Sequence, residues 1–199
     1  MSVETRRKAE LIDATIEEIG AVGSLTVSVG QIAKRAGVSS ALAFHYFGDK
    51  DRLFLAAMRH VLSIYGAEVR ETLRAAKGPR ARLEAVIRAS FSPTSFRREI
   101  IAAWLNFYVL AQRSPQARRL LSLYQRRLQS NLAYDLRPLV GDRAAGIAQR
   151  LGGLIDGLYM RHALDSSAET GELAAGQVLA ALETEIGTAA RVTGAAAPI

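Results

Sequence analysis

Residues 28–53 read Ser28-Val29-Gly30-Gln31-Ile32-Ala33-Lys34-Arg35-Ala36-Gly37-Val38-Ser39-Ser40-Ala41-Leu42-Ala43-Phe44-His45-Tyr46-Phe47-Gly48-Asp49-Lys50-Asp51-Arg52-Leu53. Two short helical patterns flank a glycine corner. Ser28 and Gln31 have the spacing of a capping box, which satisfies free backbone N–H groups at the start of a helix over about 29–36. Ala36-Gly37-Val38 makes a turn in which Gly37 can take a positive φ without a Cβ clash. Ser39 can cap a second short helix ending near Phe47, and Asp49 a much longer one running to about Ala76. Ala33 is small enough for the two short helices to cross closely, with Ile32, Val38, Leu42 and Phe47 spaced to fill the core beneath them. Two short helices at a tight glycine turn form a helix-turn-helix. Its exposed face, 39–46, fits the major groove of B-DNA. A helical hairpin in a larger bundle, with no DNA role, would show the same bare Ala-Gly-Val corner.

Upstream, Ile12, Ile16 and Ile19 recur at helical spacing and Gly23 is a plausible stop. The alternating stretch Leu25–Val29 is bounded too tightly to be a strand. Downstream, Gly78-Pro79 and Ser92-Pro93 break the chain between helices over about 80–91 and 95–112. Ser114-Pro115 pairs an N-cap with proline at the first helical position, opening a helix to about 136 that Arg137-Pro138 and Gly141 end. Asp142 can cap a helix to about 164, and Ser166 with Glu169 a last one to about 187. The expected fold is all-α. A helix-turn-helix domain over 1–50 is linked by the helix over 49–76 to a second domain over 51–190, with a disordered tail over 191–199.

The 199 residues carry 26 Lys+Arg against 19 Asp+Glu, a net charge of +7. A basic balance suggests a polyanion partner, but residues 1–60 hold eight basic and seven acidic side chains. Net charge therefore does not mark this end as the nucleic-acid binder; the local pattern has to. With no Cys there is neither a disulfide framework nor a thiolate nucleophile. His45, His60 and His162 share no metal-ligand spacing, so no metal or cofactor is expected. The chain shows no nucleotide-binding glycine pattern, no nucleophile elbow and no metalloprotease helix; no catalytic residue is assigned and an enzyme is not expected. No apolar run approaches the ~18 residues of a membrane span, and Met1–Lys8 leads into no signal-peptide core. A soluble, cytoplasmic protein is expected.

The long run Gln31–Ser39 followed by Phe44–Leu53 resembles the N-terminal domain of the TetR family of repressors, over about residues 8–60. The resemblance implies that Ser28 and Ser39, at helix N-termini, meet phosphates. It places Ser40, Ala41 and His45 against base edges, and Tyr46 and Lys50 on the phosphate backbone. Two positions depart from the family. Gly30 stands where many members carry a base-reading Arg, and Phe44 where many carry Tyr. Specificity would then lean on few direct contacts plus DNA shape.

Eight of the thirteen aromatic residues lie between Phe91 and Tyr159. Trp104, Phe107 and Tyr108 share a helix face, which suits either a core or a ligand cage. Asp156, inside Leu154-Ile155-Asp156-Gly157-Leu158-Tyr159, is costly to bury unpaired. Its partner is either an arginine such as Arg161 or a cationic ligand. Ala103–Tyr108, Arg126–Leu132 and Ile155–Leu164 resemble the BetI-type regulators, TetR-family repressors of the choline-to-glycine-betaine pathway. That resemblance implies choline or a related cationic amine as effector, recognised by aromatic faces and a carboxylate. Tyr108 and Tyr159 depart from it, standing where Trp is expected. The candidate ligand residues are Trp104, Phe107, Tyr108, Tyr124, Asp156 and Tyr159. A multidrug sensor for lipophilic cations is the alternative. Leu151, Leu154 and Leu158, with Val178, Leu179, Leu182 and Ile186, pack either within the chain or, as the family implies, in a four-helix homodimer interface. A homodimer requires a palindromic double-stranded operator.

Overall fold

Helix caps set the element boundaries. In the computed structural model, which describes residues 2–164 and 170–194, the Ser2 hydroxyl opens α1 (Val3–Val22) and left-handed Gly23 closes it. The reciprocal Ser28–Gln31 box opens α2 (Val29–Arg35), and Ser39 opens α3 (Ser40–Phe47). The Asp49 carboxylate accepts from Arg52 N at 2.8 Å at the start of α4 (Lys50–Ala75). Pro79 sits in the first turn of α5 (Pro79–Ser90). There follow α6 (Arg98–Arg113), α7 (Pro115–Val140), α8 (Ala144–Leu164) and α9 (Gly171–Gly194). Among the described residues no strand occurs, and no helix is long and apolar enough to cross a membrane. The fold is all-α, as expected.

Three boundaries differ from expectation. Pro138 does not end α7, which continues to Val140. Pro138 is exposed, so water can serve the Tyr134 carbonyl that a proline nitrogen cannot. Asp142 lies within a 3-10 turn, Gly141–Arg143, ahead of α8 rather than capping it directly. Helix α9 passes Gly187 and runs to Gly194, because one interior glycine costs only ~1 kcal/mol relative to alanine. The expected cap at Ser166 and Glu169, and the tail beyond 194, lie outside the described residues.

The chain divides into two compact units. The first joins the residues up to Ile64 with Arg97–Leu121, and the second joins Tyr65–Phe96 with the residues from Ser122 onward. The first unit thus extends beyond the expected boundary at residue 50, because α6 packs directly on α1. The two helices approach so closely that a Cβ at Gly20 would lie 2.6 Å from Glu99 Cγ. The small core under the helix-turn-helix comprises Leu11, Ala14, Val27, Val29, Ile32, Ala33, Ala43 and Leu53, with Val38, Tyr46 and Phe47 packed against it. Leu42, expected in that core, is half-buried at its margin, and Ala43 takes the inward position.

The second unit is built on α5, α7, α8 and α9. Leu83, Ile87, Leu132, Leu136, Ile147, Ile155 and Val178 form its center, each with essentially no exposed surface. Leu151, Leu158, Val178 and Leu182 belong to this same core. These four therefore pack within the chain, the first of the two alternatives, rather than in the interface that the family resemblance implies; Leu154, Leu179 and Ile186 are only partly buried around them. The Asp135 carboxylate, 5% exposed, lies 2.8 Å from Arg82 Nε.

Candidate functional site

In the first unit, the two short helices carry their polar ends outward. Ser28 Oγ accepts from Gln31 N at 3.2 Å while Gln31 Oε1 accepts from Ser28 N at 2.8 Å. Ser39 Oγ accepts from Leu42 N at 3.2 Å. Both caps are exposed, and the backbone N–H groups of a helix's first turn are a ready anion site. The corner between the helices places Gly37 at φ 66°, where a side chain would be strained. Val38 N then reaches Ala33 O at 3.0 Å, which fixes the crossing of α2 and α3.

The outward surface of α3 presents Ser40, Ala41, Phe44 and His45, all exposed. A Cβ at Gly30 would stand 3.7 Å from Ser40 Oγ, with ordinary room around it, so α2 adds no long side chain to this face there. Tyr46 is half-buried against the core, its ring beneath Lys8 Nζ at 5.2 Å and beside His45. Lys50, expected on the phosphate backbone, donates to Leu25 O at 2.9 Å. That bond uses one of its three donors and ties the start of α4 to the loop before α2. Arg35 is committed to Glu17 and Glu18 on α1, an intramolecular role.

The six expected ligand residues fall in different units. Trp104, Phe107 and Tyr108 lie in the first. Phe107 has no exposed surface and packs on Phe54 and Trp104, with ring centroids 6.5 and 5.9 Å away. Trp104, 8% exposed, lies 6.3 Å from Tyr108. Phe107 and Trp104 are thus both buried in this unit.

Tyr124, Asp156 and Tyr159 lie in the second unit, where tertiary packing adds residues that sequence reasoning missed. Tyr65 meets Tyr124 edge-on at 5.9 Å and shares a hydrogen bond with Ser90 Oγ at 3.1 Å. Tyr159 stacks on Phe91 at 5.6 Å, meets Phe96 edge-on at 5.3 Å, and donates to Ser90 O. Glu68 accepts from Ser92 Oγ at 2.9 Å. Burial, opposed by the Ser90 hydrogen bond and reinforced by the charges of Glu68 and Asp156, pushes the Tyr65 hydroxyl up to about 12. Burial first, then Tyr65, Glu68 and Asp156, push Tyr159 up as well. Both phenols therefore stay protonated at neutral pH, and two carboxylates act on both of them. Such a group of rings and anionic oxygens can bind a cation that donates no hydrogen bond. The missed pair had a sequence signal: Tyr65 and Glu68 are three apart on one helix and share its face.

Two known families match successive stretches of the chain. The family described as bacterial regulatory proteins, tetR family, matches residues 11–57. The BetI-type transcriptional repressor C-terminal domain matches residues 79–187. The chain is 52% identical over 169 residues to the HTH-type transcriptional regulator BetI of Brucella anthropi, covering 84% of this chain and 87% of that one. Against its namesake in Agrobacterium fabrum the identity is 47%, over 84% and 82% of the two chains. A transcriptional regulator from Pseudomonas aeruginosa PAO1 superposes with a TM-score of 0.78 at 27% identity, covering 96% of this chain and 95% of that one. One from Saccharomonospora viridis, crystallised in complex with choline, shares the fold at a TM-score of 0.80 and 20% identity, over 90% and 96%.

Proposed function

Because the chain belongs to the TetR family of transcriptional regulators and carries a BetI-type repressor domain, we propose that it represses as a homodimer on a palindromic operator. The observation that carries this reading is the capped, glycine-cornered α2–α3 unit with an exposed α3 face. Helix N-terminal amides at Ser28 and Ser39, the Tyr46 hydroxyl and the free donors of Lys50 hold phosphates, while Ser40, Ala41, Phe44 and His45 face the groove. Two copies present two α3 helices to successive major grooves.

The contact between protomers is the outer side of α8 and α9. Gly153, Gly157, Met160 and Leu164 recur at helical spacing along α8. Met160 is 56% and Leu164 83% exposed in the protomer, and a Cβ at either glycine would touch nothing within 4 Å. Leu173 and Gly176 offer a similar strip on α9.

The effector is choline or a related quaternary ammonium, held by Tyr65, Tyr124 and Tyr159 with Glu68 and Asp156 supplying counter-charge. The carboxylates support this over a neutral ligand, and a neighbour of the same fold was crystallised with choline. Choline relieves repression only by binding the DNA-free conformation more tightly than the DNA-bound one. In calorimetric titration, Asp156→Asn and Glu68→Gln are each expected to weaken choline about tenfold, the effect of losing one poorly screened charge partner. Choline binding unchanged in both variants contradicts the site. Weak responses to many lipophilic cations and none specific to choline favour a multidrug sensor on the same scaffold.

A further inference from the structure

Helix α3 reads Ser40-Ala41-Leu42-Ala43-Phe44-His45-Tyr46-Phe47. It contains no Arg, Lys, Asn, Gln, Asp or Glu, the side chains that read guanine, adenine or cytosine edges with paired or charge-assisted hydrogen bonds. On the neighbouring helix two such side chains are engaged elsewhere: Gln31 Oε1 accepts from Ser28 and Arg35 pairs with Glu17 and Glu18; Gly30 has no side chain, and Lys34 stands exposed in the last turn of α2. The polar groups that α3 itself exposes are the Ser40 hydroxyl and the His45 imidazole, each capable of single hydrogen bonds that discriminate little. Beside them stands one large apolar group. Phe44 is 49% exposed although its neighbours Ala43 and Phe47 turn inward. Ala41, one turn earlier and also exposed, extends the apolar strip. The feature of a base pair that such a strip recognises in the major groove is the thymine C5-methyl group.

We propose that Phe44 is the main specificity-determining residue of α3 and that it reads thymine methyl groups, with Ala41 beside it. The inference rests on the operator-binding reading above and goes beyond it by naming what is read. The operator half-site then holds thymine at the positions under Phe44, and removing its methyl group removes the signal while leaving base pairing intact.

The test selects binding duplexes with the full-length protein from a random pool of about 30 base pairs, long enough for two half-sites a helical turn apart. Each thymine of the winning duplex is then replaced by uracil, one symmetric pair at a time, and affinity is measured by fluorescence anisotropy. Loss of one buried methyl contact corresponds to about fourfold in affinity per half-site and about fifteenfold for a symmetric pair. One or two thymines per half-site are expected to show this loss with the wild-type protein. Phe44→Ala, which removes an exposed ring and should melt like the wild type, is expected to bind thymine and uracil duplexes equally. Wild-type indifference to every uracil substitution overturns the inference. So does Phe44→Ala retaining the wild-type sensitivity, since the methyl groups are then read by another residue. A pool from which no sequence emerges fails the operator-binding reading itself, a result distinct from either.

Discussion

Replacing Arg82 by alanine is expected to destabilise the folded protein by about 3 kcal/mol, because it strands a buried carboxylate. Asp135 lies on α7 with its side chain 5% exposed, and Arg82 on α5 is 31% exposed at a distance of 2.8 Å. Arg82 also donates to Leu73 O in the last turn of α4 at 3.4 Å, a helix-end carbonyl without an intrahelical partner. The pair is asymmetric, so its two single deletions should differ. Asp135→Ala leaves an arginine that can turn toward water, and costs less. The double variant Arg82→Met with Asp135→Leu keeps the volume, removes both charges, and should unfold close to the wild type. Urea unfolding followed by far-UV circular dichroism orders the three. An Arg82→Ala midpoint equal to that of the wild type would show that water already reaches Asp135.

Gly157→Arg is expected to leave the protomer folded and to abolish the dimer. A Cβ at this glycine meets no atom within 4 Å in the protomer, and replacing a helix glycine removes up to ~1 kcal/mol of unfavourable helix propensity. A bulky cation on a face that packs against its own symmetry mate, however, meets a second copy of itself. Sedimentation velocity should report a monomer. Operator affinity should fall at least about a hundredfold, since the second half-site no longer benefits from the effective concentration that the first provides. A Gly157→Arg protein that remains dimeric would move the interface elsewhere on the surface.

The local features of the fold were legible in the sequence because they depend on neighbours in the chain. The Ser28–Gln31 box, left-handed Gly23 and Gly37, the Asp49 cap and proline at the start of α5 and α7 all follow from backbone groups within four residues. What was not legible depends on packing between distant segments. Whether Leu151, Leu158, Val178 and Leu182 face the protomer or its mate is the same pattern in one dimension; only the meeting of α8 and α9 with α5 and α7 decides it. Phe107 reads equally as core or cage until Phe54 is seen against it. Glu68 and Tyr65 join Asp156 and Tyr159 through tertiary contacts, although their shared helix face was a usable clue. The motif places Lys50 against phosphate, whereas its bond to Leu25 O, 25 residues back, is a tertiary contact that ties the start of α4 to the loop before α2.

Whether α2 and α3 present a sequence-selective face to duplex DNA is measured most directly by the affinity of the full-length protein for the DNA upstream of its own coding sequence, set against a shuffled duplex of equal length at physiological salt. Binding at about 10⁻⁸ M or tighter is expected, at least a thousandfold stronger than to the shuffled duplex, with a protected palindrome whose half-sites lie about one helical turn apart. Equal affinity for both duplexes, falling away together as salt rises, would rule out sequence-selective binding by α2 and α3.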